Sequence, residues 1–279
     1  MIFVKIIYFG CDAMYKCFEN IIKSGHKIIK LYTYYNPYDI IHEKKIVNKA
    51  KELSIPYTYD RINLETVNNI FKNKLCDCFF SAEYNRMIPV SDFPNFKGIN
   101  VHSSYLPEGK GFFPVEMRAF LKHNYTGVTF HKLTTKFDDG NILIRKKFPI
   151  LNNSSVIDIY RKCEDEASQI CLEIFKSDES FKYYWDNAYP QEGQPSSFHP
   201  SRLERTINKN MSVEDAVHLF KCFDRFTFLN YENITHRVLF LKTSNGEQIV
   251  NRDNEFPNQN DYKKFYLRNG FIWVILEQI

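Results

Sequence analysis

The chain has 279 residues, 44% hydrophobic and 16% aromatic, enough apolar matter for one large or two moderate globular domains and too much for a disordered protein. A net charge of +4 suits a small anionic substrate as well as it suits solubility, and is too slight to argue for nucleic acid. The seven cysteines are odd in number and sit mostly in apolar runs, so they predict reduced core residues of a cytoplasmic protein rather than a disulfide framework.

The chain opens on an apolar run, Ile2 to Phe9, too short to span a membrane and without a basic leader; it reads as a parallel strand covered on both faces. Gly10 and Asp12 open a helix to about Ser24, and His26 to Tyr35 returns as a second strand. A single glycine at that turn, without G-x-G-x-x-G, argues against a dinucleotide site. A Lys-rich helix is expected over 42–53 as a solvated face, then a short strand from Ile55 and a helix over 63–73. Leu75 to Ala82 (LCDCFFSA) is a buried strand; its Cys76 and Cys78 have no second pair at finger spacing, so no metal is expected. Alternating strands and helices predict an α/β fold, a doubly wound Rossmann-like sheet. Residues 82–89 (AEYNRMIP) leave the strand at its carboxyl end, where ligands of open α/β sheets bind.

Ile99 to His102 is the next strand, and its period-2 alternation turns Asn100 and His102 to one face. A second β-rich run, Thr126 to Leu133, precedes Asp138-Asp139-Gly140, where glycine permits a sharp turn that returns a carboxylate to the same place. An amide to donate to an oxyanion, an imidazole to handle a proton and a carboxylate to orient it are what acyl transfer needs. His26 and His131 read instead as satisfied core histidines. Phe112, Phe113 and Met117 read as packing the following helix against the sheet.

Asn141 to Ile150 gives one more strand. Ser155 and Asp158 start a long helix to about Lys176 with Val156, Ile159, Cys163, Ala167, Ile170 and Ile174 on one face. The texture changes near Trp185, and the Pro/Gly/Ser/Gln segment 189–200 reads as a linker between residues 1–188 and a small, mostly β C-terminal module, residues 201–279. The module shows a helix with Ser212 and Asp215 at its start and strand-like runs over 237–243, 248–252 and 271–276. Its eleven basic and ten acidic residues leave it nearly neutral, which argues against a polyanion partner. Phe223-Asp224-Arg225-Phe226 is a candidate nucleotide clamp, although core packing is the simpler reading of its aromatics.

The ordered motifs N-x-H (Asn100 to His102), a Ser-rich turn with Leu-Pro, Lys110-Gly111, Pro114, G-V-T-x-H (Gly127 to His131) and D-x-G (Asp138 to Gly140) resemble the folate-dependent formyltransferases. The family includes methionyl-tRNA, glycinamide ribonucleotide and sugar N-formyltransferases. The resemblance covers Ile2 to Ile150 well and the remainder loosely. It implies catalytic roles for Asn100, His102 and Asp138, a pterin pocket at Arg86, Met87 and Ile88 with Asp138 also touching the cofactor, and acceptor contacts from Ser103, Tyr105 and Lys110. It further implies 10-formyltetrahydrofolate as formyl donor. The acceptor it suggests is a nucleotide-linked amino sugar, most simply a dTDP-linked 3-amino or 4-amino dideoxysugar for cell-surface polysaccharide. A homodimer with no nucleic-acid or membrane partner is the expected state. The rival expectations are a methionyl-tRNA formyltransferase with a short tail and an inactive, folate-binding relative.

Overall fold

The structure, a computed structural model, describes residues 4–36, 38–39, 41, 44–151, 154–249 and 261–279. In chain order the elements are β1 (Lys5–Gly10), α1 (Tyr15–Lys23), β2 (Lys27–Tyr32), α2 (Lys45–Glu52), β3 (Tyr57–Thr58), α3 (Leu64–Lys72), β4 (Cys78–Ala82) and β5 (Gly98–His102). There follow β6 (Lys110–Gly111), α4 (Pro114–Phe120), β7 (Tyr125–Lys132), β8 (Ile142–Pro149), α5 (Val156–Ile174) and α6 (Asp178–Asp186). The C-terminal part adds β9 (Ser197–Phe198), β10 (Thr206–Ile207), α7 (Val213–Phe223), β11 (Phe228–Tyr231), β12 (Ile234–Thr243), β13 (Gln248–Ile249), β14 (Lys263–Leu267) and β15 (Gly270–Gln278).

The main sheet has the order β3-β2-β1-β4-β5-β7-β8. It is parallel from β3 to β5. β7 and β8 then run antiparallel, so the expected parallel, doubly wound pattern holds only up to β5. Alternation along β1 explains why the strand reads as continuously apolar: Ile6 and Tyr8 enter one core layer, beneath α1 and α5, while Ile7 and Phe9 enter the other, beneath α3. Phe80 and Phe79 on β4 divide in the same way. Each such fully buried side chain stabilises the fold by roughly 1.5–3 kcal/mol relative to exposure.

The long helix α5 begins with the reciprocal cap foreseen for it: Asp158 N–H donates to Ser155 Oγ at 3.2 Å and Ser155 N–H to Asp158 Oδ2 at 2.9 Å. Its stripe Val156, Ile159, Cys163, Ala167, Ile170 and Ile174 is buried throughout. The short α6 was not foreseen, since only Phe181 of its nine residues is buried and no apolar stripe marks it.

The C-terminal sheet has the order β10-β11-β12-β15-β14, with β13 on β12, and α7 covers it. Ser212 and Asp215 form a second capping box, and Ala216, Leu219, Phe220 and Phe223 meet Val238, Leu241, Ile272 and Val274. β10, β11 and β14 were not read from sequence, while the end of the expected run 248–252 lies outside the described residues. The expectation for α4 needs correcting. Phe113 and Met117 pack into the C-terminal core, Phe113 against the rings of Phe223 and Phe226 at 5.9 and 5.3 Å, and it is Val115 that enters the main core.

The seven cysteines are buried and unpaired. Among the described residues no helix is long and apolar enough to cross a membrane, and no group of three or more His, Cys, Asp and Glu is arranged to hold a metal ion.

Candidate active site

In the main sheet the strand order reverses at β1, between β2 and β4, and the loops leaving their carboxyl ends part there. A cavity of about 280 Å³ opens at that edge. Cys11 and Ala13 after β1, Tyr34 and Asn36 after β2, Glu83 to Ile88 after β4, and Asn100 and His102 on β5 all face into it.

One wall gathers an amide, two imidazoles and a carboxylate. Asn100 and His131 are direct partners across the β5–β7 ladder, and Asn100 Nδ2 lies 3.1 Å from His131 Nε2. His131 Nδ1 lies 2.9 Å from the carbonyl of Lys132, which places the ring proton on Nδ1 and leaves Nε2 to accept from the amide. The NH2 group of Asn100 is thereby turned toward Asp138, whose Oδ1 is 3.5 Å away. His102 Nε2 lies 2.8 Å from the carbonyl of Gly109, to which its N–H donates, and Nδ1 then faces Asp138 Oδ1 at 3.6 Å.

The turn that brings Asp138 here depends on close backbone packing. A Cβ on Gly140 would stand 1.8 Å from the carbonyl oxygen of Lys132, so only glycine lets the loop lie against β7. Asp138 itself takes φ 51°. Its Oδ2 accepts the Gly111 N–H at 2.9 Å, and Gln191 Nε2 donates to the carbonyls of Asp138 and Gly140, each at 2.9 Å. The Pro/Gly/Ser/Gln segment expected to be a linker therefore braces the site, and β9 within it pairs with β6. Burial alone would push the Asp138 carboxyl up, but His102 first, then the neighbouring His131 and the Gly111 N–H, hold it well below the usual carboxylate range.

A family model described as formyl transferase matches residues 34–175, half of the chain. The chain belongs to the formyl transferase family. A methionyl-tRNA formyltransferase of Prochlorococcus marinus (strain MED4) is 26% identical over 64% of this chain and 57% of its own length. The chain spans somewhat more than half the length of the first such curated relatives. In fold it is similar to a HypX variant from Aquifex aeolicus, with TM-score 0.64, 10% identity and coverage of 98% of this chain and 44% of that one. It is also similar to an N-formyltransferase from Helicobacter canadensis, solved in complex with folinic acid and dTDP-3-aminofucose, with TM-score 0.57, 21% identity and coverage of 99% of this chain and all of that one.

Of the residues singled out in the sequence, Asn100, His102 and Asp138 converge, and Arg86, Met87 and Ile88 line the cavity. Ile88 is buried and Met87 exposed, while Arg86 donates to the carbonyl of Tyr59. Ile88, Val101 and Leu133 present apolar surface to the cavity, which suits a flat heteroaromatic ring.

Ser103, Tyr105 and Lys110 are not cavity-lining. The Ser103 hydroxyl donates to Glu83 Oε1 at 2.6 Å, Tyr105 stacks under Arg145, and Lys110 pairs with Asp139 at 2.6 Å. That last contact also separates the two adjacent acids: Lys110 lowers the Asp139 carboxyl, and it is Asp138 that lies 3.6 Å from both imidazoles.

His131 is one residue that the sequence reading missed: it is buried, as expected of a core histidine, yet it belongs to the polar wall. Pairing the two runs antiparallel, with G-V-T-x-H opposite N-x-H, would have placed it there. Phe112 and Phe226 also line the cavity, whereas Phe223 is core; His26 is a satisfied core histidine, with Nε2 2.6 Å from the Phe175 carbonyl.

Proposed function

We propose that this protein moves a formyl group from 10-formyltetrahydrofolate to the amine of a nucleotide-linked amino-deoxysugar. The observation that carries this reading is the meeting of Asn100, His102 and Asp138 on one wall of an open cavity at the carboxyl edge of the sheet. The free amine attacks the formyl carbon, and the carbonyl oxygen takes up negative charge. Asn100 donates to that oxygen through the amide N–H not engaged by His131, and His102 removes the proton released at the attacking nitrogen. When the adduct collapses, the bond from the formyl carbon to the folate nitrogen breaks and that nitrogen takes a proton in exchange. Asp138, its carboxyl held well below the usual range and so ionised at neutral pH, faces the imidazole of His102 and holds it in place. Arg86, Met87 and Ile88 hold the pterin, chiefly through backbone groups.

A dTDP-linked 3-amino or 4-amino sugar is the acceptor we favour. Two features support it: the near-neutral charge of residues 201–279, and a likeness in fold that runs the whole length of an N-formyltransferase solved with such a nucleotide sugar. Incubating the protein with 10-formyltetrahydrofolate and dTDP-linked amino sugars, and following the gain of one formyl group by mass spectrometry, tests the reading. No transfer to any of them would refute it.

A second reading, transfer to methionyl-tRNA, is favoured by the names of the curated relatives. It predicts steeply salt-dependent tRNA binding in a filter titration.

A further inference from the structure

The cavity contains an acid that the formyl-transfer chemistry does not employ. Glu116, in the first turn of α4, is 5% exposed and lines the cavity. Its Oε1 accepts from the Tyr160 hydroxyl at 3.0 Å, while Oε2 is buried with no hydrogen-bond partner among the described residues. A buried polar atom left unsatisfied costs on the order of 1–3 kcal/mol. A fold that retains one beside an open cavity points to a ligand group that completes it.

A second acid lines the same cavity. Glu83 follows β4 at φ 53°, and its Oε1 accepts both the N–H and the hydroxyl of Ser103, at 3.2 and 2.6 Å. Asp39 lines it as well. The groups whose fields meet Glu116 are Glu83, Asp39, the Tyr160 hydroxyl, the buried thiols of Cys163 and Cys222, and the cation of Arg205. Arg205 is committed elsewhere: it donates to the carbonyls of Phe226 and Pro200 and lies over the rings of Phe113 and Phe228. The cavity thus presents two carboxyl groups, those of Glu83 and Glu116, in its lining.

We propose that Glu116, with Glu83 lining the same cavity, receives the acceptor's amino group as an ammonium, that one of these carboxylates then takes a proton from it to leave the free amine that attacks, and that the two carboxyls select an amine over a hydroxyl. The proposal rests on the reading of this site as a transferase acting on an amine. An ammonium carries three donors, enough to satisfy Glu116 Oε2 with others to spare, and charge-assisted bonds of this kind are roughly twice as strong as neutral ones. A hydroxyl has one donor and no charge, and leaves part of the site unsatisfied. Without a ligand, burial and then the neighbouring acids push the Glu116 carboxyl up to about 8, so at neutral pH it holds its proton. The incoming cation takes the place of that proton, so amine binding releases it, and affinity rises as pH climbs toward 8.

The test is calorimetric titration of the whole chain with a dTDP-linked amino sugar and with its counterpart bearing a hydroxyl in place of the amine. The expected result is that the wild-type protein prefers the amine by roughly ten- to a hundredfold and that E116Q loses most of this preference. Folate affinity serves as the control for folding. A wild-type protein that binds and formylates no amine sinks both this assignment and the transferase reading. A wild-type protein that formylates the amine, with E116Q keeping the same preference, overturns the Glu116 assignment alone. If E116Q does not fold, E83Q reads the same quantity without touching α4: a reduced preference supports the paired carboxyls, and an unchanged one overturns them.

Discussion

The backbone N–H of Gly111 donates to Oδ2 of Asp138 at 2.9 Å. The same loop supplies the Gly109 carbonyl that holds His102, so acid and imidazole are set by one piece of chain. Replacing Asp138 with Asn keeps the shape but removes the charge, and turnover should fall on the order of a hundredfold or more. The sign for stability follows from its lowered pKa: the contribution of the ionised Asp138 is present above the unfolded value near ~3.9 and is lost as pH falls through the folded one. D138N should therefore melt below the wild type at pH 7, with the gap narrowing in acid. Thermal melts across pH check this.

In the proposed mechanism Asn100→Ala removes a donor to the oxyanion, and it should lower turnover by about a hundred- to a thousandfold, leaving folate binding largely intact. Steady-state kinetics beside a folate titration would decide it, and near wild-type turnover would remove Asn100 from the mechanism.

His131 accepts from Asn100 and lies 3.6 Å from Asp138, so in the proposed mechanism it serves as a positioning residue. Substituting Phe keeps ring volume but frees the amide to rotate, and kcat should drop by up to about a hundredfold with little change in acceptor KM. A rise in KM at constant kcat would argue for a substrate contact instead.

Glu116 makes the fold sensitive to alkali. Its folded pKa, raised to about 8, lies above its unfolded value, so its contribution is fully present below the unfolded pKa and is lost as pH rises toward 8. E116Q should melt higher than the wild type at pH 8, with the difference shrinking toward pH 5, which thermal melts across pH check.

Gly140→Ala places a methyl group 1.8 Å from the Lys132 carbonyl oxygen. The D-x-G loop must shift, with a loss of about 3 kcal/mol in stability. Calorimetry would show the loss, and activity should fall with it because Asp138 moves.

Much of the architecture was legible because it rests on periodicity and caps. The buried runs at β1 and β4, the stripe of α5 and the boxes at Ser155 and Ser212 are local signals that the structure repeats. Asn100, His102 and Asp138 were legible through their ordered motifs. What escaped depends on contacts between distant segments. His131 needed the β5–β7 register, Glu116 needed to be seen against Tyr160, and the short strands β10, β11 and β14 carry too few residues to show alternation. The bracing by Gln191 lay in a segment whose composition reads only as loop.

Helix α4 sends Val115 into one core and Phe113 and Met117 into the other, and Phe226, from beyond α7, stands in the cavity lining. The tail is for this reason no exchangeable accessory. A chain cut near residue 200 would bare an oily seam along α4 and unroof the chamber at once, and grafting a relative's tail would remodel the room left for the acceptor while every residue around Asn100 stayed the same.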